Sequence, residues 1–147
     1  MPHLLIIDAR FYEDLADELV KGAKGALDRA GATYDHVSVP GCFELPAALS
    51  MALDAGANGG RLHDGYVILG CVIRGETTHY DYVCAESARG LQYLAVGEAM
   101  AVGYGILTVE DDAQAWARAS VDKKNKGRDA AEACLAMIAL KKQFGLV

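Results

Sequence analysis

Residues 66–73, Tyr-Val-Ile-Leu-Gly-Cys-Val-Ile, carry no charged side chain and run straight into Arg74-Gly75. A strand wet on one face alternates apolar with polar, so an unbroken apolar run of this length reads as a strand covered on both faces. Similar runs recur between helical patterns. Residues 4–7 read as a short strand, and residues 12–30 set Leu15, Leu19, Ala23, Ala26, Leu27 and Ala30 on one helical face that stops at Gly31. A second strand is expected over 33–39, a second helix over 44–55, and a glycine-rich loop over 56–65 before the apolar run. A long helix from Thr78, a fourth strand over 102–109, a short helix over 111–119 and a terminal helix over 127–144 complete the pattern. Strict alternation of strand and helix predicts an α/β fold: a flavodoxin-like, three-layer αβα sandwich around a four-stranded parallel sheet with right-handed crossovers.

The length, 147 residues, is that of a single domain over 1–147 able to bury a real core. A formal charge of −6 with scattered Lys and Arg argues against nucleic acid as a partner, because phosphate backbones demand a basic face. No run approaches the roughly 18 apolar residues of a membrane span. The N-terminus also lacks a basic region and a cleavage site, so a cytoplasmic protein without membrane contact is expected. Cys42, Cys71, Cys84 and Cys134 form no C-x-x-C and read as small buried side chains. His3, His36, His63 and His79 show no ligand spacing, and no metal site is expected.

In a parallel sheet the loops after the strands gather at one edge, where ligands bind. Phe11, the segment from Cys42 to Glu44, that from Gly75 to His79, and Thr108 all follow predicted strands. Gly75 supplies a bend, and Thr78 with Asp81 has capping-box spacing, although Asp is a shorter partner than Glu. His79 then falls in the first helical turn. Free backbone N–H groups and the positive dipole end there favour an anion and a nearby neutral imidazole able to take a proton. A plain strand-to-helix turn that uses Gly and Thr only for geometry would look the same at this point.

Three separated segments choose between those readings. Residues 70–83, Pro40-Gly-Cys-Phe-Glu-Leu-Pro46, and Gly105-Ile-Leu-Thr108 followed by Gln114-Ala115, Arg118 and Asn125-Lys-Gly127 together closely resemble the lumazine synthase family, from Phe11 to the last helix. The resemblance implies a transferase that condenses 5-amino-6-(D-ribitylamino)uracil with 3,4-dihydroxy-2-butanone 4-phosphate, the penultimate step of riboflavin biosynthesis, with no cofactor or metal. It implies His79 as general acid and base. Arg118, with Glu76 and Thr77, would hold the phosphate, the last two through backbone N–H groups, with the Glu76 carboxylate turned away. Phe11 would stack on the pyrimidine, Cys42, Phe43 and Glu44 would contact the ribityl chain, and Cys71, Val72 and Ile73 would offer backbone groups. Tyr104 would reach the substrate from the next subunit, and Lys126 would add a cation. Each also has a purely structural reading: Phe11 as core filling, Glu44 as an acidic helix-start residue, Arg118 and Lys126 as solvated cations.

The third and last helices carry more apolar surface than one sheet face covers, which suggests contact between subunits. The resemblance implies a homopentamer with active sites between neighbours. The short segment before the first strand, and the lack of glycine over 119–126, favour a free pentamer over a sixty-subunit shell. A non-catalytic flavin or lumazine carrier of the same fold would keep Phe11 and lose His79 and Arg118, and both are present. A protein whose main product is its assembly fits the same two departures poorly.

Overall fold

The computed structural model describes residues 1–146. In chain order the elements are β1 (His3–Ala9), α1 (Glu13–Arg29), β2 (Thr33–Val39), a 3₁₀ turn (Cys42–Glu44), α2 (Leu45–Ala57), β3 (Gly65–Ile73), α3 (His79–Gly97), β4 (Val102–Val109), α4 (Asp112–Ala119) and α5 (Lys126–Gln143). The sheet has four strands in the order β2-β1-β3-β4, and every pair is parallel. This is the α/β three-layer, flavodoxin-like sandwich that the alternation of patterns predicts. Among the described residues no helix is long and apolar enough to cross a membrane.

Alternate side chains of the central strands feed two separate cores, as a period of two requires. Leu4, Ile6, Val67 and Leu69 pack with α1, α4 and α5, while Leu5, Ile7, Tyr66 and Ile68 pack with α2 and α3. β3 is buried along almost its whole length, so the apolar run is the covered central strand. Where α5 crosses β4, a side chain at Gly103 would collide with the Ala130 carbonyl, and glycine lets the helix backbone lie directly on the strand. The one charged residue buried in β1, Asp8, is satisfied by His36 Nε2 (2.8 Å), Ser38 Oγ (2.6 Å) and Arg10 Nη1 (2.7 Å). That anchor holds the chain just before Phe11.

Helix ends follow local chemistry. Asp111 caps α4 by accepting from the Gln114 N–H at 2.8 Å. Asn125 caps α5 in the left-handed region (φ 47°), so the bend before the last helix is made without a glycine. Four helices end in a Schellman arrangement, with N–H groups of Ala32, Gly60, Met100 and Leu146 donating back to Leu27, Ala55, Ala95 and Lys141. Gly31, Gly59 and Gly145 hold the positive-φ position in three of them, but in α3 it is Ala99 (φ 50°). An L side chain is strained there. Ala99→Gly is therefore expected to stabilise the protein by about 0.5–1 kcal/mol, the relief of left-handed strain less the added freedom of the unfolded chain. A rise in the urea midpoint at fixed protein concentration checks this.

Candidate active site

The order β2-β1-β3-β4 reverses direction at β1, and the crevice between the ends of β1 and β3 is the topological switch point where such sheets bind ligands. A cavity of about 520 Å³ opens there. It is lined by Phe11 and Tyr12 after β1, by residues 40–44 after β2, by Cys71, Val72 and Ile73 at the end of β3, and by Gly75, Thr77, His79, Tyr80 and Val83. Two phenyl rings stand open to it. Phe11 is 73 % exposed and edge-on to Tyr12 at 4.9 Å, and Phe43 is 55 % exposed. Core filling is thus not the role of Phe11; an apolar ring held in solvent at the mouth of a cavity is available to stack on a flat ligand. The 3₁₀ turn lies close on the sheet because β3 has glycine beneath it: a Cβ at Gly70 would come within 2.5 Å of Cys42 Sγ.

The start of α3 differs from the capping box expected of Thr78 and Asp81. Thr78 has helical torsions (φ −72°, ψ −2°) and its side chain caps nothing. The Thr77 hydroxyl instead accepts from the His79 N–H at 3.3 Å. Asp81, too short to reach back, faces Arg74 at 3.6 Å. Arg74 braces the turn: its Nε lies 3.0 Å from both Glu110 carboxylate oxygens, and its guanidinium sits 4.3 Å from the centre of the Tyr80 ring. The chain after β3 is thereby tied to the chain after β4 and to the first turn of α3, and this fixes the backbone that carries His79.

Not every predicted site residue reaches this cavity. Tyr104, Arg118 and Lys126 line a second one of about 330 Å³ along the β4 edge, with Thr108 and Asp129. Arg118 donates to the Gln114 carbonyl at 3.0 Å and has no ion-pair partner among the described residues, whereas Lys126 faces Asp129 at 3.4 Å. Glu76 is exposed and lines neither cavity. Within one chain, then, the aromatic ring and the imidazole line one cavity and the cations another. A third, mainly apolar groove of about 460 Å³ runs between α3 and α5, lined by Leu91, Val96, Met100, Met137, Leu140 and Phe144 among others. Sequence reasoning passed over Tyr12 and Tyr80. Their only signal was adjacency to Phe11 and His79.

The family model described as 6,7-dimethyl-8-ribityllumazine synthase matches residues 2–142. Among curated proteins, the chain is 59 % identical over 144 residues to the 6,7-dimethyl-8-ribityllumazine synthase of Agrobacterium fabrum, covering 98 % of this chain and 97 % of that protein. It is 59 % identical over 143 residues to 6,7-dimethyl-8-ribityllumazine synthase 1 of Rhizobium meliloti, with 97 % and 94 % covered. The corresponding synthase 1 of Mesorhizobium japonicum is 54 % identical over 143 residues, with 97 % and 87 % covered.

Two thiols line the first cavity, yet neither is poised as a nucleophile. Burial pushes Cys42 and Cys71 up to about 12, as it does Cys134, because a thiolate there would lose its hydration. Only Cys84 is partly exposed. At pH 8 a disulfide reagent such as DTNB is expected to label at most the Cys84 thiol in the folded protein and all four cysteines in denaturant, counted by released chromophore.

Proposed function

Because the chain belongs to the 6,7-dimethyl-8-ribityllumazine synthase family, we propose that the cavity at the ends of β1 and β3 is where it condenses 5-amino-6-(D-ribitylamino)uracil with 3,4-dihydroxy-2-butanone 4-phosphate. The reaction yields 6,7-dimethyl-8-ribityllumazine, phosphate and water. The observation that carries the site assignment is the pairing of an exposed Phe11 ring with His79 at the first turn of α3, across one cavity at the switch point.

The chemistry assigns the parts. A flat pyrimidine stacks on Phe11 while backbone groups of Cys71, Val72 and Ile73 read its edge, and Glu44 with the adjoining Cys42 and Phe43 receives the polyol chain. Phosphate sits against the backbone of Glu76 and Thr77 at the helix start, where unpaired N–H groups and the dipole favour an anion. His79 takes and returns protons as the amine adds to the ketone, as water leaves, and as phosphate is eliminated. An imidazole does this near neutral pH and contributes about 10²- to 10⁴-fold. Holding two substrates together supplies much of the remaining acceleration.

A dianionic leaving group also needs fixed cations, and the cavity holding His79 has none in its lining. Arg118, with Lys126 beside it and Tyr104 on the same edge, is assigned to the cavity of the neighbouring subunit, completing each site from two chains. The apolar groove between α3 and α5 supports that reading, since Val96 and Phe144 are each 72 % exposed in the single chain and gain from burial. The assembly is a homopentamer in the cytoplasm, with the two small molecules as its other partners.

Lumazine absorbance follows the reaction directly. His79→Ala is expected to lower kcat by about 10²- to 10⁴-fold with modest changes in either KM. Arg118→Ala is expected to raise KM for the phosphate substrate by about 10- to 100-fold, the loss of charge-assisted hydrogen bonds, and to leave the pyrimidine KM nearly unchanged. Equal increases for both substrates would remove Arg118 from the phosphate.

A further inference from the structure

Two imidazoles and a carboxylate meet at the end of the sheet opposite the cavity just described. His3 opens β1, Asp35 lies in β2, and His63 stands in the loop leading to β3. Separations of 32 and 28 residues hide the group from any spacing rule. Nε2 of His3 lies 3.0 Å, and Nε2 of His63 2.8 Å, from the same carboxylate oxygen, Asp35 Oδ2. The rings stack with centroids 5.3 Å apart and planes within 19°. The three candidate donor atoms all fall within 4.8 Å of one another.

We propose that His3, Asp35 and His63 form a binding site for a divalent transition ion of the zinc or cobalt type. Two imidazole nitrogens and one carboxylate oxygen suit those ions, whereas magnesium and calcium take oxygen donors and copper(I) prefers thiolates. With ligand bonds of about 2.0–2.2 Å, donors on one ion lie roughly 2.9–3.5 Å apart, close to the two N···O separations seen. The nitrogens close the remaining gap by a small rotation of the rings. Binding moves the proton on each Nε2 to Nδ1 or to solvent, and the ion takes its place between the donors.

The surroundings are built for this. His63 is 8 % and His3 17 % exposed, so both rings are held by packing. His3 Nδ1 lies 2.6 Å from the Thr33 hydroxyl, a partner on the far nitrogen of the kind that orients ligating histidines. The His3 backbone N–H donates to Asp64 at 2.7 Å, joining the loop before β3 to the start of β1. His63 Nδ1 is buried without a partner, so the ring is held by packing and by Nε2, without the far-nitrogen contact that Thr33 gives His3. The Asp35 carboxylate supplies the shared oxygen Oδ2 from a side chain 46 % exposed. Arg61, 3.9 Å from the same oxygen, is the competing cation.

The ion clamps three segments that are distant in sequence and lies a strand's length, roughly 20 Å, from the other edge of the sheet. Its effect is on stability and not on turnover. Tag-free protein stripped with chelator is titrated with Co²⁺ and read by visible absorption, then with Zn²⁺ in competition. One Co²⁺ per chain, displaced by Zn²⁺, is the expected result. At a hundredfold excess over Kd, Zn²⁺ raises the thermal midpoint by roughly 5–10 °C while lumazine formation is unchanged. His3→Ala and His63→Ala each abolish the spectrum, and Asp35→Asn, a near-isosteric change that preserves the fold by circular dichroism, abolishes the thermal shift. Absence of a Co²⁺ spectrum in the wild type overturns the assignment whether or not the variants fold, as does wild-type binding in both histidine variants.

Discussion

β3 pairs in parallel with β1 on one side and β4 on the other, and helices seal both of its faces. Parallel pairing sends every strand end to the same edge of the sheet, so the loops after β1, β2 and β3 have no choice but to meet there. Phe11, the turn from Cys42 to Glu44 and the start of α3 with His79 come from segments about thirty residues apart and line one cavity. The reversal of strand order at β1 opens the crevice between them. Apolar burial along the central strand is thus what brings these side chains together at its end.

The same constraint divides the site. β4 is an edge strand; α5, which lies directly on it at Gly103, begins with Lys126, and α4, which follows β4, carries Arg118, so both cations line the cavity along that edge. The ring and the imidazole face one way and the cations another. A groove of apolar side chains between α3 and α5 lies next to the cavity that holds the cations, with Tyr104 lining both. On the proposed arrangement, packing energy between subunits and transition-state chemistry depend on one another, since a chain without a neighbour has a base and no counter-charge for its leaving group.

Local patterns made the fold legible. Apolar runs and period-3.6 patterns placed the four strands and five helices of the described residues to within a few residues, and the unbroken run over 66–73 marked the central strand. The convergence of Phe11, Cys42, Glu44 and His79 on one cavity was legible, because each follows a strand of a parallel sheet. Three features were not. Thr78 and Asp81 had the spacing of a capping box, but Thr78 takes up helical torsions, Thr77 contributes the bond, and Asp81 faces Arg74, a partner outside the helix that the spacing does not reveal. The grouping of His3, Asp35 and His63 depends on strand register, which no local window contains. The division of the predicted site residues between two cavities is likewise a property of which edge each strand occupies.

Co-assembly of two impaired chains, assayed with the phosphate substrate well below the wild-type KM so that both parents are nearly silent, tests the shared site most directly. His79→Ala and Arg118→Ala subunits are denatured, mixed in equal amounts and refolded together, and lumazine formation is compared with each parent refolded alone. If one chain supplies the imidazole and its neighbour the guanidinium, random mixing leaves about a quarter of the sites intact, and activity recovers to about a quarter of wild type. If both groups act from the same chain no intact site can form, and mixed oligomers no more active than their parents would contradict the account.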